Sequence, residues 1–245
     1  MLSDVSVGDT GASISTYLSV EGKLTKLVFA VLPSKSSRHN SPFQPHAVSA
    51  LLGTAVGSGS ARVNFLLEEE WQIGPLACAI ARAFPLYSSK QKSASAGDED
   101  RVISIEFLSS GASGPPTRVT NEARLRAAAV AADGVRLAGK LVDTPPQEMD
   151  TEALVAEARR VSAGLPGVRF EAVIGRELEA KGYGGIWGVG KAAEKPPALV
   201  VLSWEPEGYT ETVCLVGKGI VYDTGQSHIL DLCIVFVFAI FVFAD

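Results

Sequence analysis

Short apolar runs alternate with segments of helical spacing along most of the chain, and this alternation confines it to the α/β classes. KLVFAVL (Lys26–Leu32), ARVNFLL (Ala61–Leu67) and RVISIEFL (Arg101–Leu108) have the length and the Val, Phe and Leu content of buried strands. Between the second and third, WQIGPLACAIARAF brings Ile73, Ala77, Ile80, Ala81 and Phe84 onto one helical face. SSKQKSASAGDED (Ser88–Asp100) is polar and of low complexity and reads as a mobile loop. SSGASGPPTR then interrupts the chain, so a small α/β domain is expected over residues 1–118.

NEARLRAAAVAADGVRLAGKLV follows, a helix-like segment weakened by Gly134 and Gly139 and read as a linking helix over 119–142. Pro145 and Pro146 stop that element, and Asp150 or Thr151 can cap a new helix carrying Leu154, Ala158 and Val161. VRFEAVI, ALVVLSW and TVCLVGKGIVY are three further strand-like runs, the opening of a second α/β sheet over 143–225. The last segment, 226–245, contains an unbroken apolar run from Leu232 to Ala244. It is too short to span a bilayer as a helix, which needs ~20 residues. Its β-branched and aromatic content, without Pro, suits an aggregation-prone strand or one that docks onto an exposed sheet edge; a short membrane anchor fits least well.

Composition narrows function by exclusion. Twenty-two Lys and Arg against 27 Asp and Glu give a net charge of −5, and no basic stripe is available to neutralise phosphates, so no nucleic-acid partner is expected. MLSDVSVGDTGASIS has neither a basic n-region nor an apolar h-region, so neither a secretory signal nor a membrane partner is expected. Cys78, Cys214 and Cys233 are widely spaced with no C-x-x-C and read as small buried hydrophobes of a reducing, cytoplasmic compartment.

Most candidate motifs fail on chemistry. In the Gly-rich stretch Lys181–Pro197, G-x-G-x-x-G breaks at Trp187. The run Gly185–Lys191 approaches a phosphate loop, but Ala192 stands where a magnesium-holding hydroxyl is needed. Tight packing of a turn against a neighbouring sheet explains the glycines better. His39, His46 and His228 have no partner at metal-ligand spacing and read as surface or loop residues. No G-x-S-x-G elbow supplies a nucleophilic serine. In CLVGKGIVYDTG an apolar strand delivers Lys218 and, five residues on, Asp223-Thr224-Gly225. An aspartic-protease reading requires a second carboxylate and an all-β setting. A solvated Lys with a turn-forming Asp is the plain alternative.

A third reading of this segment is a family resemblance. LVGKGIVYDTG resembles the metal-binding signature of the leucine (cytosol) aminopeptidases, as do LAGKLVDTPPQEMDT (Leu137–Thr151) and GYGGIWGVGKAAEKPPALVVLSW (Gly182–Trp204). SSRHNSP (Ser36–Pro42) and ACAIARAFPLY (Ala77–Tyr87) resemble the animal probable-aminopeptidase branch in particular. The resemblance implies an N-terminal α/β domain, a linking helix and the incomplete start of an α/β/α catalytic domain. It also implies two divalent ions, zinc or manganese, that activate a water to remove N-terminal residues from peptide substrates, and assembly into a homo-oligomer. Lys218 is then an amine ligand and Asp223 a carboxylate ligand of the metal.

After Gly225 the family pattern continues with a second Gly, a catalytic Lys and a further Asp ligand, and later with Asp, Glu and Arg in a motif of the form NTDAEGR. Here the sequence turns instead to QSHILDLCIVFVFAIFVFAD. Two dications carry +4, which one carboxylate and one amine do not balance. The expectation is a polypeptide truncated within the catalytic domain and inactive, with no catalytic residue of its own. A non-enzymatic module that binds intact subunits is the alternative.

Overall fold

The computed structural model describes residues 12–33, 44–57, 59–87, 101–110 and 114–221 in full, and the backbone of 222–223 and 231–243. The chain divides into two compact units, Met1–Asp143 and Thr144–Asp245. The expected mobile loop at Ser88–Asp100, His39 and His228 lie outside the described residues.

In the first unit, β1 (Ala12–Val20) and β2 (Lys23–Val31) form an antiparallel hairpin paired from Ala12↔Val31 to Val20↔Lys23. Its two-residue turn holds Glu21 at φ 51° and Gly22 at φ 78°, the double positive φ that matches the right-handed twist of paired strands. Helix α1 (Pro45–Ala55) starts on a proline, which forfeits no helical hydrogen bond there, and buries Val48 and Leu52. Strand β3 (Ala61–Leu67) leads through a 3-10 turn at Glu70–Gln72 into α2 (Ile73–Ala83) and on to β4 (Ile103–Ser109), parallel to β3.

Helix α2 is the core element. Ile73, Leu76 and Ile80 are buried, and each such side chain contributes roughly 1.5–3 kcal/mol on leaving water. Ser49 on α1 donates to the carbonyl of Ala79 at 2.8 Å, joining the two helices. Strand β5 (Thr117–Arg118) adds antiparallel to the end of β4.

Helix α3 (Glu122–Asp143) is the segment read as a linker, and its packing assigns it to the first unit. It lies along α2, buries Ala128, and Arg136 Nε donates to the carbonyl of Phe84 at 3.1 Å. The small buried side chain of Ala128 lowers its amphipathic signal while it packs toward α2, and at Gly139 an added Cβ would meet only the Arg82 guanidinium at 3.6 Å, an ordinary contact.

The second unit begins with α4 (Thr151–Ala163), whose N-cap is Asp150: its Oδ1 accepts from the Ala153 amide at 2.8 Å. Strand β6 (Val168–Ile174) runs antiparallel to β7 (Ala198–Trp204). Between them lie two short helices, α5 (Glu177–Ala180) and α6 (Gly184–Gly190), so the Gly-rich stretch forms helix where a turn is expected. Val155 of α4 packs against Ala198 and Val200 of β7, and Leu178 and Ile186 cover Val173 and Leu199. The Arg159 guanidinium sits 4.4 Å over the Phe170 ring, a contact of about 0.5–1 kcal/mol.

Strand β8 (Glu211–Asp223) follows β7 after a short connection but does not pair with it. Strand β9 (Asp231–Phe243) enters between them, parallel to β7 and antiparallel to β8, giving the order β6-β7-β9-β8. Of the fates open to the apolar tail, this is sheet docking. β8 is left as an edge strand with Leu215 and Val216 more than half exposed. Cys214 is exposed with it, which corrects the expectation of a buried thiol: among the described residues, only one edge of β8 has a neighbouring strand.

Candidate functional site

Lys218 and Asp223 both fall on β8, paired in register with positions 236 and 231 of β9. Strand residues alternate between faces with a period of two. The ladder runs unbroken from Glu211 to Asp223, so positions 218 and 223, an odd number apart, belong to opposite faces of the strand. Lys218 is exposed. Among the described residues, no group of three or more His, Cys, Asp or Glu stands close enough together to hold a metal ion. Lys218 and Asp223, with Asp231 in register opposite Asp223, supply fewer anionic donors than a pair of divalent ions needs.

The charged clusters lie elsewhere and act structurally. Lys195 Nζ is 2.6 Å from Glu152 and 4.0 Å from Asp150, tying the segment before β7 to the start of α4. The hydrogen bond that Lys195 donates to Glu152 raises the Lys195 pKa above its ordinary value, with the charge of Glu152 adding to it. Lys181 pairs with Glu177 at 3.1 Å and Glu171 at 3.6 Å, and its pKa is raised in the same way, chiefly by Glu177.

Among the described residues of the first unit, two open cavities bear on function. The larger, about 880 Å³, lies between β4 and α3 over the apolar face of α2. A second, about 610 Å³, is lined by His46, Ser49, Cys78, Arg82 and Val135. His46 sits at the start of α1 and is exposed, a surface histidine as expected. The residues around the larger cavity escape sequence reading because they come from four elements. Glu106 and Arg118, 2.6 Å apart, are brought together by the pairing of β4 with β5.

A two-unit α/β chain with this order of elements is the architecture of the M17 aminopeptidases. It superposes on an M17 aminopeptidase from Trypanosoma brucei with a TM-score of 0.69 at 24% identity, over 99% of this chain and 52% of that one. Leucine aminopeptidase (LAP1) from Caenorhabditis elegans gives a TM-score of 0.66 at 28% identity, over 88% of this chain and 48% of that one. The profile of the M17 aminopeptidase N-terminal domain 2 matches residues 7–93, and that of the cytosol aminopeptidase family catalytic domain matches 136–230.

The chain belongs to the M17, cytosol aminopeptidase, family. It is 43% identical over 200 residues to the human "Probable aminopeptidase NPEPL1", across 82% of this chain and 37% of that protein. The chain therefore spans little more than a third of the length of that curated relative. Among the described residues, no helix is long and apolar enough to cross a membrane.

Proposed function

We propose that this chain carries the N-terminal domain (1–118), linking helix (119–142) and first part of the catalytic domain (143–225) of a cytoplasmic leucyl-type aminopeptidase. The tail 226–245, of which the catalytic-domain match takes in only 226–230, departs from that domain. The parent reaction is removal of N-terminal residues from peptides by a dinuclear zinc or manganese centre, within a homo-oligomer. Membership of the M17 family supports this reading. When bound, the ions would supply an activated water and polarise the scissile carbonyl. Lys218 and Asp223 are the positions here that correspond to metal ligands.

These 245 residues by themselves are inert toward peptides. The observation supporting this claim is the β8 ladder, in which positions 218 and 223 are an odd number apart and only one further acid, Asp231, stands in register opposite 223. Purified polypeptide incubated with a leucyl anilide and excess manganese or zinc is the test. No release above the buffer rate is expected; metal-dependent turnover overturns the claim.

The second reading, a non-enzymatic module binding intact subunits of the parent enzyme, is favoured by the first unit, which closes a hydrophobic core of its own around α2. Co-expression with a tagged intact homologue distinguishes the two. Stoichiometric co-purification supports the module; separation of the chains under native conditions removes it.

A further inference from the structure

Among the described residues, the pattern of hydrogen bonding along β4 leaves half a strand edge without a partner inside the first unit. In a parallel pair, alternate residues direct their amide and carbonyl groups to the same neighbour. Val102 faces β3, since its carbonyl accepts from the Ala61 amide; Phe107 faces the other way, accepting from Val119. Ile103 and Ile105 share the orientation of Phe107. β5 pairs only with Leu108 and Ser109, so no strand among the described residues lies opposite Ile103 and Ile105.

In front of that edge is the cavity of about 880 Å³, floored by Ala77, Ile80 and Ala81 of α2 and walled by Leu125, Ala129 and Ala132 of α3. Its volume lies within the range of built ligand sites. The small residues of the α3 wall leave room for another backbone. Four residues of β4, Ile103, Ile105, Glu106 and Phe107, border it, over a stretch of roughly 17 Å for an extended strand.

The two ends carry opposite charge. Where β4 begins, the groove is lined by Arg101, Arg136 and Asp133, an excess of one positive charge. Arg136 is held there by its bond to the Phe84 carbonyl, and Arg101 by bonds to the carbonyls of Gly57 and Gly59. At the other end stand Glu106, Arg118 and Glu122, an excess of one negative charge. A short extended peptide with free termini has the matching dipole. With its carboxylate at the arginine end and its ammonium at the glutamate end, it runs antiparallel to β4, the direction β5 already takes.

We propose that this groove is a binding site for short free peptides of about five residues, which add to β4 as a strand. The site is separate from Lys218 and Asp223 and does not depend on any metal.

The experiment is titration of the full chain with a free-ended pentapeptide of alternating Val and Thr, followed by nuclear magnetic resonance shifts of the Ile103 and Ile105 amides. Saturable binding with a Kd below about 1 mM is expected. Capping either terminus should weaken it about two- to fivefold, the scale of an exposed ion pair. Ile105→Pro removes a groove-facing donor that β3 does not use and should weaken binding at least tenfold. Ala129→Phe, on the exposed face of α3, fills the groove without touching the ladder and should do the same. Absence of saturation up to about 10 mM peptide overturns the proposal. So does binding that survives both substitutions, or a concentration-dependent dimer in which a second copy occupies the edge.

Discussion

Gly190, the last residue of α6, lies directly against Pro197 at the entry to β7: a Cβ built on Gly190 would stand 2.4 Å from the Cβ of Pro197 and 2.6 Å from its Cγ. Carbon atoms do not approach so closely, and the proline ring has no rotamer with which to retreat. The Gly190→Ala variant should therefore lose about 1–3 kcal/mol of stability, the usual range for overpacking. Urea denaturation beside Gly188→Ala, where a Cβ meets nothing within 4 Å, separates this contact from the general effect of removing glycine.

The start of α4 offers a second test. Asp150 accepts from the Ala153 amide at 2.8 Å and also lies near Lys195. Asp150→Ala should cost about 1 kcal/mol, and Asp150→Asn, which keeps the cap but not the charge, should retain most of it. Equal losses in both would mean that the ion pair, not the cap, is what Asp150 contributes.

Thr151, next in sequence, is 1% exposed, and its hydroxyl has no hydrogen-bond partner among the described residues. An unsatisfied buried hydroxyl costs about 1–3 kcal/mol by mutational measure. Thr151→Val keeps the shape and removes that atom, so it should raise the unfolding midpoint. A fall of more than about 1 kcal/mol would show that the hydroxyl is satisfied in solution.

Lys195 gives a pH test. Its pKa is raised in the folded chain by the hydrogen bond to Glu152 first and by the charges of Glu152 and Asp150 after it. A raised folded pKa means that the stabilisation is fully present below the unfolded Lys value of about 10.4 and is lost as pH rises through the folded value. The gap in melting temperature between the parent and Lys195→Met should therefore be constant from neutral pH to about pH 9.5 and shrink at higher pH. A gap that widens with alkali would contradict the assignment.

Local physics made part of this fold legible in the sequence. β3 and β6 stand at Ala61–Leu67 and Val168–Ile174 as their apolar runs require, and α2 follows its helical spacing. The N-cap at Asp150 was one of two residues able to serve. β1 was not legible, since ASISTYLSV alternates Ser and Thr with apolar residues and is stabilised by its partner across the Glu21–Gly22 turn. α1 was missed because its apolar signal is short and follows a polar segment.

The assignment of α3 to the first unit depends on its contact with α2, which no local pattern records. For the site, the motif around Lys218 and Asp223 identified the family, but the register that sets the two positions on opposite faces comes from β9. The groove beside β4 was invisible, because its open edge is a property of what β5 fails to reach.

The central claim is that the two donors of β8 do not assemble a metal pair within this polypeptide. Elemental analysis of the purified 245-residue chain, after equilibration with zinc or manganese and exhaustive dialysis, tests it directly. The account predicts substantially less than one ion per polypeptide, unchanged by substituting Lys218 or Asp223. Two ions retained per polypeptide, and lost on either substitution, would contradict it.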